Sequence, residues 1–243
     1  MSTNPPLRVL VVDYASDARA VPCGRMIVSA LPDGAEIKLL RGTNDRPWAE
    51  TALARASHVI LSGSDIDRPR DEDWFDAACA EVRRVIEAGL PVLGICFGHQ
   101  FIAQALGGAD MVRRAPLPEY GIAPLVPTAS AAADPLMAAL PADNRRLYHL
   151  HMDEVVPERA PAALGLDLLA TTERCPIAAY RLPGRPVWGI QAHPEITPGT
   201  MRDILARKLA DAGGPGAPAR DIDDHPSCWR PEVFDAFLAV SRS

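Results

Sequence analysis

The chain has 243 residues, 48% of them hydrophobic and 23% charged, with a mean hydropathy of −0.01. That is enough apolar material for one substantial core. A net charge of −6 with no long Lys/Arg run argues against binding the nucleic-acid backbone. No apolar run approaches the ~18 residues of a membrane span. The opening MSTNPPLRVLVVD lacks the basic, long apolar and cleavage regions of a secretory leader, so a cytoplasmic protein with no membrane partner is expected.

Leu7–Val12 is apolar except for Arg8 and is closed by Asp13, which suits a strand buried on both faces. A helix over 23–31, a strand over 36–40 and a short strand over 58–61 follow. In 74–88, Phe75, Ala78, Cys79, Val82, Val85 and Ile86 recur at helical spacing, and Gly89 ends the helix. Pro91–Ile95 predicts the next buried strand and Phe97–Leu106 the next helix, stopped by Gly107 and Gly108. This strand–helix rhythm implies an α/β fold, a mostly parallel central sheet covered by helices on both faces. Between 109 and 190, short strand-like pieces alternate with Pro-rich turns, which predicts antiparallel additions. PVWGIQ (186–191) reads as a strong strand and 197–210 as a helix with Pro198 in its first turn. The Gly/Pro/Asp-rich 211–227 reads as a linker or surface loop. A last helix over 231–240 offers Val233, Phe234 and Phe237 for docking. The expected division is therefore one domain, 1–210, with 211–243 a linker and a helix that docks on it.

Five cysteines, Cys23, Cys79, Cys96, Cys175 and Cys228, are odd in number, with no CxxC pair. A disulfide framework or structural zinc site is not expected. One of them stands apart. Gly94-Ile95-Cys96-Phe97-Gly98 is G-x-C-x-G at a strand-to-helix turn, the arrangement of a nucleophile elbow. The glycines give the backbone room for a strained turn. Phe97 N–H is left free to stabilise an oxyanion, and the amino end of the following helix favours negative charge on the sulfur. Most cysteines are buried structural residues; spacing and context favour function for Cys96 alone.

A thiol nucleophile needs a base. Of six histidines, His193 follows the PVWGIQ strand and precedes Pro194 and Glu195. Residues two apart in an extended segment point to one side, so Glu195 can orient His193 and stabilise it when protonated. A surface H-P-E turn is the plainer alternative. Cys96 and His99 form Cys-x-x-His, but no matching ligand pair presents itself. His149 and His151 project to one side of a presumed strand with no carboxylate nearby beyond Asp153. His58, His149 and His225 read as solvated or hydrogen-bonded. No metal and no cofactor are expected, and neither G-x-x-x-x-G-K-[ST] nor G-x-G-x-x-G occurs.

PVLGICFGHQ followed about a hundred residues later by GIQAHPE resembles the class I glutamine amidotransferases, the Cys-His-Glu glutaminases. HVILSGSD and HLHMDEV resemble two further segments of that family, and the likeness spans roughly 7–200. The nearest flavour is that of stand-alone proteins similar to the glutaminase domain of GMP synthetase. The resemblance implies a flavodoxin-like amidotransferase fold, with Cys96 as nucleophile, His193 as base and Glu195 as its orienting carboxylate. It further implies oxyanion donors at Phe97 N–H and a backbone N–H of Gly63 or Ser64, and glutamine contacts at Gln100, His151 and Asp153. Implied, too, is ammonia passed to a separate synthase. Departures from the pattern are Ser64 in place of a second glycine, Leu150 for Ser, Met152 for Gly and Ala192 for an aromatic. Two other readings remain open: a stand-alone hydrolase of γ-glutamyl peptides or amides, and a catalytically silent regulatory homologue.

Overall fold

The computed structural model describes residues 6–16, 23–66, 68–211 and 228–242. In chain order these form β1 (Arg8–Asp13), α1 (Cys23–Ala30), β2 (Glu36–Arg41), α2 (Trp48–Arg55), β3 (His58–Leu61), α3 (Phe75–Glu87), β4 (Val92–Ile95) and α4 (Phe97–Gly107). The second half adds β5 (Val112–Pro124), β6 (Val126–Pro127), α5 (Pro135–Ala139), β7 (Arg146–Val155), α6 (Ala160–Leu164), β8 (Asp167–Thr171) and β9 (Ala179–Arg181). It closes with β10 (Val187–Ile190), α7 (Pro198–Asp211) and α8 (Glu232–Leu238).

Eight strands make one sheet in the order β2-β1-β3-β4-β10-β9-β8-β6. The first five are mutually parallel, and β9, β8 and β6 pair antiparallel beyond them. The apolar run Val9–Val12 of β1 now has its reason. Leu10 and Val12 face a core built with α2, α3 and α4, while Val9 and Val11 face another built with α1, α5 and α8. At the edge, β2 carries Glu36, Lys38 and Arg41 and is largely exposed, which discourages a further strand from adding there.

α4 is buried along nearly its whole length, because it is enclosed by the sheet, α3, α6 and the ribbon of β5 and β7. That ribbon corrects the expectation of short strands. β5 and β7, 13 and 10 residues long, form a separate antiparallel pair whose register slips between Arg114 and Glu119. Pro116 and Pro118 lie in the slip, where neither can donate to a ladder. Helix α2 was not anticipated from the sequence. The linker expected over 211–227 lies outside the described residues except for Asp211, the last residue of α7.

On the other face, Val233, Phe234 and Phe237 are fully buried, and α8 packs on α5. Asp134 organises this corner. Its carboxylate accepts Leu136 N–H (3.0 Å) and Met137 N–H (3.1 Å), capping α5, and takes Trp188 Nε1–H at 2.8 Å. Asp134→Ala removes the cap and leaves a buried indole donor unpaired. We expect a loss of about 2–4 kcal/mol, measured by denaturant unfolding, with Asp134→Asn intermediate.

Candidate active site

β4 ends at Ile95, and the next residue turns the chain. Cys96 holds φ 52° and ψ −103°, a conformation an L-residue keeps only when its surroundings enforce it. Three backbone hydrogen bonds do so. Cys96 N–H donates to Ile190 O (2.9 Å), Gly98 N–H to Ser62 O (3.0 Å) and Gln100 N–H to Cys96 O (3.2 Å). The turn is thus stitched to β10 on one side and to the end of β3 on the other. The two glycines are required sterically. A Cβ at Gly94 would lie 2.4 Å from the Gly98 carbonyl, and one at Gly98 would lie 2.4 Å from Leu61 O. Phe97 opens α4, so its N–H has no intrahelical acceptor.

Parallel pairing of β4 with β10 sets Ile95 beside Ile190, so the residues after each strand emerge at the same carboxyl edge. His193 is fastened there by its N–H to Tyr148 O at 2.8 Å, and the turn behind it by Arg230 N–H to Pro194 O at 2.9 Å. His193 Nδ1 and Glu195 Oε1 are 2.8 Å apart, both residues buried. The imidazole therefore donates from Nδ1, and Nε2 is the nitrogen left for the sulfur. Nε2 has no well-formed hydrogen bond of its own. Cys96 Sγ stands 3.9 Å from Leu150 O, a weak thiol–carbonyl contact. Burial by itself would lower the pKa of His193. The Glu195 carboxylate, and after it the Cys96 sulfur, outweigh burial and raise it to about 10.

The sign of that shift gives a test. A base whose folded pKa is raised contributes stability that is complete below its unfolded value of about 6.5. The contribution is lost as pH rises through about 10. The gap in melting temperature between the wild type and Glu195→Gln is expected to be widest below pH 6.5 and to close toward pH 10. A gap independent of pH would mean that Glu195 acts only through packing.

The Ser62–Asp65 loop lies across the elbow and is held by side chains. Ser62 Oγ accepts Tyr14 N–H (2.9 Å), Ser64 Oγ donates to Tyr14 O (2.7 Å), and Asp65 accepts Ser16 Oγ–H (2.6 Å) and Ser16 N–H (2.8 Å). Neither Gly63 nor Ser64 has a positive φ. A cavity of about 120 Å³ runs between this loop, Cys96, Phe97 and β7, with Gln100, His151 and Asp153 in its wall. Gln100 Nε2 donates both its hydrogens, to Asp153 O (2.9 Å) and Gln191 Oε1 (3.0 Å), so only its Oε1 is left to accept from a ligand. The Asp153 carboxylate pairs with Arg114 at 3.3 Å. Beyond Gln100 and Asp153 a second cavity, about 410 Å³, opens among Arg68, Arg70, Arg113 and Arg114.

The residues singled out from sequence thus meet at one edge of the sheet. Others were missed. β7 offers three backbone carbonyls to the site: Tyr148 to His193, Leu150 to the sulfur and Asp153 to Gln100. Between them the side chains of His149 and His151 meet a carboxylate, and it is that of Glu119 of β5, not Asp153. His149 is fully buried, not solvated. His99 has no share in a Cys-x-x-His pair. Its ring lies 4.8 Å from that of Tyr180, and burial lowers its pKa to about 3, so it is uncharged.

A family model described as "Glutamine amidotransferase class-I" matches residues 27–212. The chain belongs to the class I glutamine amidotransferase family. Among its amidotransferase relatives, "GMP synthase [glutamine-hydrolyzing]" of Aeropyrum pernix is 35% identical over 195 residues, covering 78% of this chain and 34% of its own length. This chain spans about a third of such full-length curated relatives. A shorter relative, a glutamine-hydrolysing GMP synthase subunit of Thermococcus kodakarensis, is 34% identical over 182 residues, 74% of this chain and 87% of that one. "Gamma-glutamyl peptidase 4" of Arabidopsis thaliana is 33% identical over 164 residues, 66% of this chain and 62% of that one. The amidotransferase fold is also that of a solved glutamine amidotransferase from Thermotoga maritima, with TM-score 0.71 at 17% identity over 97% of each chain.

Proposed function

We propose that this amidotransferase hydrolyses the side-chain amide of glutamine to glutamate and ammonia, and that a separate synthase consumes the ammonia. One observation carries the reading: a cysteine strained to φ 52° at the elbow, with a buried His193–Glu195 pair at the same sheet edge. Cys96 attacks the amide carbon and His193 Nε2 gives its proton to the departing nitrogen. Water activated by His193 then cleaves the γ-glutamyl thioester. Phe97 N–H and a backbone N–H of Gly63 or Ser64 receive the oxyanion. Gln100, through Oε1, and His151 and Asp153 in the cavity wall contact the glutamine. In this reading 1–210 is the catalytic domain and 211–243 a linker with α8 docked on it; the buried α8 phenylalanines support the docking.

The test is glutamate release by the purified chain, with glutamine and a γ-glutamyl dipeptide run in parallel. Faster turnover of glutamine supports the proposal; faster turnover of the dipeptide replaces it with a γ-glutamyl hydrolase. That second reading is favoured by the 410 Å³ cavity sharing Gln100 and Asp153, which offers room for a substituent larger than glutamine carries. Met152, 42% exposed at the rim of the smaller cavity, gives it an apolar lip. Silence on both substrates would mean either a partner-gated oxyanion loop or a non-catalytic homologue. Among the described residues no helix is long and apolar enough to cross a membrane.

The loop bonds set a further expectation. Ser64→Gly removes the hydroxyl held on Tyr14 O, worth about 0.5–1.5 kcal/mol. If that bond restrains the oxyanion peptide, partner-free turnover rises by roughly two- to tenfold. Unchanged or lower turnover in steady-state assays would show that the loop is already in its working form.

A further inference from the structure

We propose that Glu119, His149 and His151 bind a divalent transition-metal ion of the zinc class beside the thiol site, an assignment that shares His151 with the glutamine wall of the proposed function but is tested by metal uptake rather than by turnover. The three side chains are buried and their ligand atoms converge, all within 4.8 Å of one another. Glu119 Oε2 is 3.1 Å from His149 Nδ1 and 3.2 Å from His151 Nε2. Tetrahedral zinc, with bonds of roughly 2.0–2.1 Å, spaces neighbouring ligand atoms roughly 3.3 Å apart.

The surrounding hydrogen bonds single out a cation. His151 Nδ1 is 3.0 Å from Asp153 O; a carbonyl only accepts, so Nδ1 carries the hydrogen. In the neutral ring Nε2 then aims its lone pair at a carboxylate oxygen, a repulsive arrangement unless a positive centre lies between them. Thr172 Oγ1 accepts Cys175 N–H (2.9 Å) and Arg174 N–H (3.2 Å), so its own hydrogen goes to Glu119, 2.8 Å from Oε1 and 3.0 Å from Oε2. Both are the outer-shell supports typical of metal ligands: a ring N–H on a carbonyl and a hydroxyl on the ligating carboxylate. His149, fully buried, has no well-formed hydrogen bond at either ring nitrogen. Two imidazoles and one carboxylate suit zinc or a neighbouring divalent ion and leave a fourth position to water. His151 borders the cavity at Cys96, which supplies the entry route. The site joins β5 to β7, so the ion would brace the strand whose carbonyls face Cys96, Gln100 and His193.

The experiment uses the full chain carrying Cys96→Ser, so that the thiol cannot act as a competing ligand. After chelation it is titrated with Co²⁺ and then Zn²⁺. Expected are one equivalent of Co²⁺ with the visible ligand-field bands of four-coordinate cobalt, bleached by one equivalent of Zn²⁺, and a melting temperature that rises with either ion. Glu119→Gln abolishes the bands. Thr172→Val, which leaves every ligand in place, weakens binding about 10- to 100-fold, and this variant decides the matter should Glu119→Gln fail to fold by circular dichroism. Absence of saturable uptake, or equal uptake by either variant, overturns the proposal and leaves a proton as the shared cation.

Discussion

Cys96→Ser is expected to lower glutamate release by roughly three orders of magnitude or more, while the melting temperature stays close to that of the wild type. The substitution exchanges one atom and keeps the φ of 52° and the three hydrogen bonds that hold the turn. What it loses is the sulfur nucleophile, because a serine hydroxyl is a much weaker acid and a much poorer nucleophile than a thiol. Steady-state assays with glutamine, paired with alkylation of the wild type by a glutamine-like electrophile, would measure this directly. Near-wild-type turnover in the serine variant would sink the thioester mechanism. A collapse of stability together with activity would mean that the sulfur's role is packing.

Gly98→Ala is expected to cost about 3 kcal/mol or more and to remove activity with it. The added methyl would stand 2.4 Å from Leu61 O and 2.9 Å from Leu61 C, and backbone cannot rotate aside as a side chain can. α4 must therefore slide off β3, carrying Phe97 and Cys96 away from the sheet edge. For a chain of this size the melting temperature should fall by roughly 6–12 °C. Gly165→Ala is the control. Gly165 has φ 60° with open space around it, so its alanine bears only the left-handed penalty, about 1–2 kcal/mol, and should leave activity intact. Equal effects of the two substitutions would show that steric contact at the elbow is not the determining factor.

The parts of this site that were legible in the sequence are those whose chemistry is written locally. G-x-C-x-G and H-P-E each specify a turn within three to five residues, and a buried parallel strand before each turn shows as an unbroken apolar run. The parallel sheet was legible for the same reason: β1, β3, β4 and β10 are short, apolar and bounded by turn residues. Glu119 was not, since its partnership with His149 and His151 depends on the register of a ribbon that slips over Pro116 and Pro118. No spacing rule carries through an irregular pairing. The contributions of β7 were hidden differently, for they come from carbonyls that every residue possesses. Helix α2 escaped notice because only Trp48, Ala49 and Ala52 of its eight residues are buried, too little to set up a stripe. His149 read as solvated or hydrogen-bonded, and its full burial was not legible because burial of a polar residue is decided by what is brought to it from elsewhere in the chain.

The central position of β10 also orders events during synthesis. It lies between β4 and β9, yet it is made some ninety residues after β4, roughly 5–20 s later at ordinary translation rates. In that interval β4 has an open flank, and the cysteine exists without its histidine, so the nascent chain holds an ordinary thiol. Insertion of the last central strand closes the flank and delivers His193 in the same step. Reactivity is thus withheld until the sheet is whole, and a fragment ending before Val187 should emerge with both a sticky edge and an inert sulfur.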